Sequence, residues 1–139
     1  TSSLVGSEMC IRDRVNVTNL SDFTFYNCIS LQDVGDLTSL TSIGESAFAG
    51  CKSLTQLGDM PHLKSIGASA FSYSISWDDG TEQYCDSLKR IGDISNVEQI
   101  GDSAFFSCAS LAEIGNLQHV TTIGDWVLGI ALHSKKSAA

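Results

Sequence analysis

The chain has few basic residues and no long hydrophobic run. Its 139 residues include eight Lys and Arg against sixteen Asp and Glu, which gives a net charge of −8 at pH 7. A chain this acidic is not expected to bind nucleic acid or an anionic membrane surface, since both carry the same sign of charge. No apolar run approaches the roughly 20 residues that span a bilayer, so we expect no membrane insertion.

The chain also lacks a recognisable secretory signal and an initiator Met. We expect its natural start to lie upstream, which leaves secretion open. Residues 5–14, VGSEMCIRDR, are similar to a translated sequencing adapter. Arg12 and Arg14 also fall where the repeat described next requires an apolar or small residue. We therefore treat residues 1–14 as a non-native segment.

Internal repetition is the strongest feature of the sequence. The phrase Ile-Gly-x-x-Ala-Phe occurs at residues 43–48, 66–71 and 100–105, and its first half returns at residues 123–124. Four units each open on a cysteine, with gaps of 23, 34 and 23 residues, and these cysteines are Cys28, Cys51, Cys85 and Cys108. The long gap is one period plus eleven residues. A period in the twenties predicts a solenoid of stacked units over residues 15–125.

Each unit keeps eight apolar or small positions. In the second unit they are Cys51, Leu54, Leu57, Met60, Leu63, Ile66, Ala70 and Phe71. Their spacing of three resembles a helix, but each unit carries two interior glycines, such as Gly58, and each would cost a helix about 1 kcal/mol. We predict short strands near residues 54–57 and 63–66, a tight turn at Gly58-Asp59 and a brief helical turn at residues 69–71.

The consensus I-G-x-x-A-F-x-x-C-x-S-L-x-x-I resembles the BspA-like class of bacterial and protist leucine-rich repeats. The resemblance implies an α/β solenoid, a horseshoe-like right-handed superhelix of short parallel strands with brief helical turns and a 23-residue period. Because members are mostly secreted or cell-surface proteins that bind other proteins, it implies an extracellular or cell-surface location and a protein ligand, such as a host or extracellular matrix protein. One departure is Gly-Asp, as at Gly58-Asp59, where the family usually has a β-branched residue.

Two groups of residues are candidates for binding a partner. The first lies in the insertion, residues 72–84, because insertions within one repeat often form the binding face and aromatic residues are enriched at interface hot spots. Its candidates are Tyr73, Trp77, Asp78, Asp79, Glu82 and Tyr84. These aromatic residues could equally fold back to cover the sheet. The second group is a column of variable residues, which are Asp33, Gln56, Arg90 and Glu113.

A further column lies at the Gly-Asp turn and contains Asp36, Asp59 and Asp93, with Asn116 as its last member. Stacked carboxylates can hold Ca²⁺. Asp and Asn at such turns also accept hydrogen bonds from nearby backbone N–H groups, and Asn116 in the same place favours this second interpretation. We therefore expect no metal site, and calcium binding stays the alternative.

The spacing of the cysteines and histidines does not indicate a metal or cofactor site. No C-x-x-C pair is present, and His62 and His119 are two units apart, so no zinc or other cofactor is expected. Neighbouring rungs about 4.8 Å apart would bring cysteines within disulfide range. Side chains along a ladder are parallel, however, so we favour buried free thiols that act as small hydrophobic residues.

No catalytic site is expected. Ser46, Ser69 and Ser103 each lie in Gly-x-Ser-Ala-Phe, which is close to the nucleophile elbow Gly-x-Ser-x-Gly. The final Gly is missing, and a nucleophile has no reason to recur in every unit. The sequence therefore predicts a non-enzymatic, protein-binding repeat module for adhesion or partner interaction. The alternative is a structural spacer within a larger surface protein, and the oligomeric state stays open.

The repeat breaks down after Asp125. The pattern calls for Ala-Phe and then a Cys, but Trp126-Val127-Leu128 appears instead. Residues 126–139 are either an apolar cap on the last unit or a disordered tail read past the coding frame, and we slightly favour the tail.

Overall fold

The computed structural model describes residues 17–129, which contain nine two-residue strands and no helix. The adapter-like segment lies outside the described residues, as do residues 130–139. No helix in the described range is therefore able to cross a membrane. The strands are β1 Asn19–Leu20, β2 Ser42–Ile43, β3 Gln56–Leu57, β4 Ser65–Ile66, β5 Ser74–Ile75, β6 Glu82–Gln83, β7 Arg90–Ile91, β8 Gln99–Ile100 and β9 Thr122–Ile123.

One strand from each stacked unit contributes to a five-stranded parallel sheet in the order β1-β2-β4-β8-β9. The pairing joins equivalent positions of the repeat, which are Leu20, Ile43, Ile66, Ile100 and Ile123. Backbone N–H groups point to the preceding unit, as when Gly44 donates to the Leu20 carbonyl at 2.8 Å. The parallel, in-register stack confirms the solenoid that the repeat predicts.

The first predicted strand position, near residues 54–57 in the second unit, forms only a shorter sheet. Strand β3 pairs with β7, and a single bridge joins Arg90 to Glu113. In the first unit residues 31–34 form no strand. The Gly-Asp corner explains this, because the chain turns immediately after β3 and the Asp59 carboxylate accepts a hydrogen bond from the Asp93 N–H at 2.8 Å. A side-chain oxygen thus accepts the hydrogen bond that a backbone carbonyl would accept in a longer ladder.

The core is a column of stacked aromatic rings surrounded by aliphatic side chains. The rings of Phe25, Phe48, Phe71 and Phe105 are fully buried, with neighbouring centroids 5.2, 5.1 and 5.1 Å apart. All eight predicted positions of the second unit are buried as well. We number the rungs 1 to 4 by these four phenylalanines. Each ring contacts the rings of the neighbouring rungs. The stabilising contacts of this column are therefore between rungs and not within one rung.

The helical turn predicted at residues 69–71 and its equivalents is wrong. Within this segment of rung 2, Ala47 N–H donates to the Gly44 carbonyl, three residues back, in a β-turn. Ser46 is in the left-handed region with φ of 53°, which interrupts any helical path. Its N–H points out of the rung and donates to the Ala68 carbonyl of rung 3 at 2.9 Å. Consecutive turns thus replace the helix because half of their N–H groups bond the next rung.

The insertion forms an antiparallel hairpin between rungs 3 and 4. Strands β5 and β6 pair Ser74 with Gln83 and Ile75 with Glu82. Gly80, with φ of 72°, lies in the connecting loop. The chain then returns to the buried Cys85, at the equivalent position to Cys51 in rung 2.

The last described residues continue the stack. Val127 is buried in the core, and Leu128 packs against it. Ser103 and Phe105 donate backbone hydrogen bonds, each 2.8 Å long, to the carbonyls of Asp125 and Val127. These contacts attach residues 125–128 to rung 4.

Candidate partner-binding surface

The hairpin folds back across the solenoid and contacts rung 1. Ser74 is buried, and its hydroxyl donates to Asn27 Oδ1 at 2.8 Å. The N–H of Ile75 donates to the Tyr26 hydroxyl at 3.2 Å. Rungs of a solenoid ordinarily contact only their neighbours. The hairpin, which leaves rung 3, therefore passes over rung 2 to reach rung 1.

Gly50 of rung 2 makes this path available. A Cβ atom at this position would lie 1.9 Å from the Ser74 hydroxyl oxygen and 2.6 Å from the Ser74 Cβ. The φ of Gly50 is 75°, which disfavours other residues independently of the space. The hairpin thus lies directly over a residue that has no side chain.

Folding back brings the hairpin aromatics beside those of rung 1. The Trp77 ring lies 5.9 Å from Tyr26, and Tyr26 lies 5.4 Å from Phe23 in an edge-to-face contact. At the base of the hairpin Tyr73 and Tyr84 are 5.8 Å apart. Trp77 is 80% exposed and Phe23 is 48% exposed. We define the aromatic surface as Phe23, Tyr26, Tyr73, Ile75, Trp77 and Tyr84.

The predicted acidic candidates of the insertion line the same hairpin. Asp79 accepts hydrogen bonds from the Thr81 hydroxyl at 2.7 Å and the Thr81 N–H at 3.0 Å, and these bonds lower the pKa of Asp79. The Tyr84 hydroxyl donates to the Glu82 carboxylate, which raises the pKa of Tyr84. Asp78 is exposed. The hairpin therefore presents carboxylates next to the exposed rings of Tyr73 and Trp77.

The second predicted group belongs to the shorter sheet. Gln56 and Arg90 are paired across β3 and β7, and Arg90 Nε lies 3.8 Å from Glu113 Oε2. Asp33 is not in a strand, and its carboxylate accepts a hydrogen bond from the Gly35 N–H at 2.9 Å. All four residues are exposed. Gln56, Arg90 and Glu113 thus lie along the shorter sheet, which is separate from the hairpin, and Asp33 lies outside that sheet. We refer to the four exposed residues as the mixed-charge strip.

The Gly-Asp column is used for local structure. Its oxygens accept backbone hydrogen bonds two residues on, from Thr38 to Asp36 at 2.8 Å, from Ser95 to Asp93 at 2.9 Å and from Gln118 to Asn116 at 2.9 Å. These bonds confirm the expectation that the column holds the turns. Across residues 17–129 no group of three or more His, Cys, Asp or Glu side chains is arranged to hold a metal ion.

Three of the repeat cysteines are buried free thiols, as the sequence predicts, and each donates to the phenylalanine carbonyl of the preceding rung. The pairs are Cys51 with Phe25 at 3.2 Å, Cys85 with Phe48 at 3.1 Å and Cys108 with Phe71 at 3.0 Å. Burial raises the pKa of the Cys51 thiol well above its ordinary value, so it stays protonated. At Cys28 the prediction of a free thiol is wrong, because this residue is disulfide-bonded.

Ile75 of the insertion was missed in the sequence, and so were two aromatic residues of rung 1, Phe23 and Tyr26. The latter two occupy the positions that hold Ser46 and Ala49 in rung 2. A large aromatic residue at a small-residue position of a repeat is a departure that could have been noticed. Their approach to Trp77 could not, since nothing in the repeat pattern shows which way the hairpin folds.

Comparison with known proteins agrees with this architecture. A family model, the BspA type leucine rich repeat region, matches residues 11–130 in six copies. Counting the units by their cysteines gave four, which is fewer than the six copies. One reason is that β1 precedes Cys28 and still pairs as a full member of the main sheet. No curated protein matches the chain.

Two solved structures are similar. A leucine-rich repeat protein of T. pallidum is 27% identical, with 80% of this chain and 47% of that chain covered and a TM-score of 0.66. A leucine-rich repeat protein of Bacteroides ovatus is 18% identical, with coverages of 82% and 46% and a TM-score of 0.31. The chain thus spans about half the length of these two proteins. The stacked rungs and the match over residues 11–130 show that the chain belongs to the BspA-type leucine-rich repeat family.

Proposed function

We propose that the chain is a non-enzymatic protein-binding module and that the aromatic surface is where it contacts its partner. The observation that carries the proposal is the group of Phe23, Tyr26 and Trp77, in which the hairpin brings Trp77 beside Tyr26 while Phe23 and Trp77 stay exposed. Burying exposed aromatic area against a partner releases hydrophobic free energy, and Trp and Tyr are the residues most enriched at interface hot spots. Repeat families of this kind generally serve as scaffolds for protein interaction, which supports the same function.

The setting we propose is the cell surface or the extracellular space. Its support is membership of a family that is typical of surface proteins. The partner we propose is a host or extracellular matrix protein, and the activity is adhesion. The mixed-charge strip of Asp33, Gln56, Arg90 and Glu113 is a second contact that a large ligand would reach.

The two tryptophans provide a matched test. Trp77 lies in the aromatic surface and Trp126 lies near the C-terminal limit of the described residues, and they are 80% and 73% exposed. The full chain would be immobilised and exposed to a panel of purified extracellular matrix proteins, with binding followed by interferometry. We expect Trp77→Ala to weaken capture about tenfold or more, as loss of a hot spot does, and Trp126→Ala to leave it unchanged. Equal effects of the two substitutions would overturn the proposed site.

The alternative function is a structural spacer. The observation in its favour is that the chain spans only about half of the similar solved proteins, at 47% and 46% of their lengths. A spacer would show no capture by any protein of the panel and no difference between the two tryptophan variants.

A further inference from the structure

The part of the chain that builds the aromatic surface has no basic residues of its own. No Lys or Arg occurs in residues 17–51, which form rung 1 and the turns of rung 2, or in residues 65–88, which include the hairpin. Acidic residues are present in both, with Asp22 directly before Phe23, and Asp78 and Asp79 directly after Trp77. Along the chain, the exposed rings are therefore flanked by carboxylates and not by cations.

These carboxylates are not neutralised within the described part of the chain. The two ion pairs of residues 17–129 join Lys64 to Glu98 and Arg90 to Glu113, and both involve other surfaces. The bonds that Asp79 accepts come from the uncharged Thr81 and leave its negative charge in place. Any group that covers the rings thus also meets unpaired negative charge.

The angles between the rings indicate which chemical group of a partner could contact them. The planes of Phe23 and Tyr26 are 70° apart, and those of Tyr26 and Trp77 are 49° apart. Such tilted rings do not form one continuous flat platform. They expose separate ring faces, and a guanidinium or ammonium group over such a face is attracted by the π electrons.

We propose that the partner presents a cationic segment, rich in arginine, to the aromatic surface. The inference rests on the proposed protein-binding function and specifies the chemistry of its partner. Guanidinium groups would lie over Trp77 and Tyr26 while their charges pair with Asp78 and Glu82. Arginine is preferred to lysine because its planar group both stacks on rings and bonds carboxylates in pairs.

The test uses end-labelled oligo-arginine, oligo-lysine and Gly-Ser peptides as probes for the full chain, followed by fluorescence anisotropy. We expect oligo-arginine to bind more tightly than oligo-lysine and the Gly-Ser peptide not to bind. Affinity should fall between about 0.1 M and about 1 M NaCl, where the Debye length shortens from roughly 10 to 3 Å. Trp77→Ala should weaken oligo-arginine binding about tenfold, and Trp126→Ala should not.

A pair of double variants separates the site from the overall acidity of the chain. Asp78→Asn with Glu82→Gln removes two carboxylates from the hairpin, and Glu98→Gln with Asp125→Asn removes two exposed ones outside both proposed contacts. The proposal expects the first pair to weaken oligo-arginine binding about tenfold and the second by less than about twofold. Equal losses would mean that the peptide responds only to net charge and would overturn the proposal.

Failure of this inference is distinguishable from failure of the proposed function. Suppose a matrix protein is captured in a Trp77-dependent manner, but salt and the hairpin double variant have no effect. The contact is then apolar, so the cationic partner is wrong and the binding function stands. Loss of capture after deglycosylation of that matrix protein would identify a carbohydrate ligand and would also overturn the cationic segment. Absence of any Trp77-dependent capture would contradict the binding function itself.

Discussion

Rungs 2 and 3 follow the same path up to their phenylalanines and then diverge. After Phe48 the chain continues through Ala49 and Gly50 to Cys51, and all of these residues are buried. After Phe71 it leaves the stack, forms the hairpin and contacts rung 1 before it returns to Cys85. The first path makes a rung that only neighbouring rungs contact. The second makes an exposed surface from residues of two rungs that are not neighbours.

The comparison teaches that the buried ring stack and the surface that we propose for binding use different residues. The regular rungs bury their rings against one another, and the hairpin exposes its own. Substitutions in the stack should therefore change the free energy of unfolding, and substitutions at the hairpin tip should change binding with little effect on folding.

The largest effect on stability is expected for Phe48→Ala. Phe48 is fully buried between Phe25 and Phe71, at centroid distances of 5.2 and 5.1 Å. Removing such a ring costs about 3–5 kcal/mol of unfolding free energy because of lost burial and the cavity left behind. Urea unfolding followed by circular dichroism would measure it, with Phe48→Leu as a milder variant if the alanine variant does not fold.

Trp77→Ala is the matched substitution in the hairpin. Because the side chain is 80% exposed, we expect a change within about 1 kcal/mol. If Trp77→Ala lowered the free energy of unfolding as much as Phe48→Ala, the distinction between a stabilising stack and an exposed surface would be wrong.

Gly50→Ala should have the next largest effect, about 2–4 kcal/mol, because it combines a left-handed φ with a collision against Ser74. The control is Gly58→Ala, where φ is not positive and no atom lies within 4 Å of the new Cβ. Urea unfolding compares the two variants, and tryptophan fluorescence reports displacement of Trp77. Equal stability of both variants would show that the hairpin does not lie over rung 2.

Much of the fold could be predicted because residues at equivalent positions of the repeat lie beside one another in the stack. The register that joins Leu20, Ile43, Ile66 and Ile100 follows directly from the spacing of the phrase, and so does the insertion as an interruption. The helical turn was wrong because a left-handed Ser46 is not recognisable from composition. Serine does not usually adopt such a φ, and here inter-rung hydrogen bonds stabilise it.

The candidate site could be predicted only in part for a different reason. Residues of the insertion stood out as non-consensus, but the contact between Trp77 and Tyr26 depends on the direction in which a hairpin folds. That direction is set by a glycine under it and two polar contacts to rung 1, and these are 47 and 49 residues away in sequence. Period and hydrophobicity carry no information about such contacts.

Ser74→Ala sharpens the comparison at a smaller scale. The substitution removes the hydroxyl that donates to Asn27 Oδ1 across two rungs, in a partly buried bond, and should cost about 1 kcal/mol. Ser53→Ala removes an exposed hydroxyl that donates to the Ile29 carbonyl of the neighbouring rung and should change stability by less than about 0.5 kcal/mol. Chemical unfolding of both variants measures the difference. A larger loss at Ser53 would place the stabilising contact between neighbouring rungs and not in the hairpin.

The smallest effect is the acid dependence of the turns. Hydrogen bonds from Thr38 and Thr81 hold the pKa of Asp36 and Asp79 below the ordinary value of 3.8. A lowered pKa in the folded state means that the stabilisation is complete above pH 3.8 and is lost as pH falls through the folded value. Unfolding measured between about pH 7 and pH 5 should show no contribution from these groups, and a decline should begin below about pH 4.

This acid dependence should be similar at the Gly-Asp turn and in the hairpin. The reason is that Asp36 and Asp79 each accept the same hydrogen bonds from a threonine two residues on. Asp36→Asn and Asp79→Asn should each reduce the decline slightly. A steep loss of stability already at about pH 6 would require another titrating group and would contradict this assignment.

The most direct test of the account is whether the hairpin contacts rung 1 in solution. Proton NMR of the chain should show nuclear Overhauser cross-peaks between the Trp77 indole and the Tyr26 ring, whose centroids are 5.9 Å apart. Those cross-peaks should disappear in Gly50→Ala and persist in Gly58→Ala. If the cross-peaks are missing from the unmodified chain, and residues 72–84 show random-coil shifts, the composite aromatic surface does not exist and the binding site must be sought elsewhere.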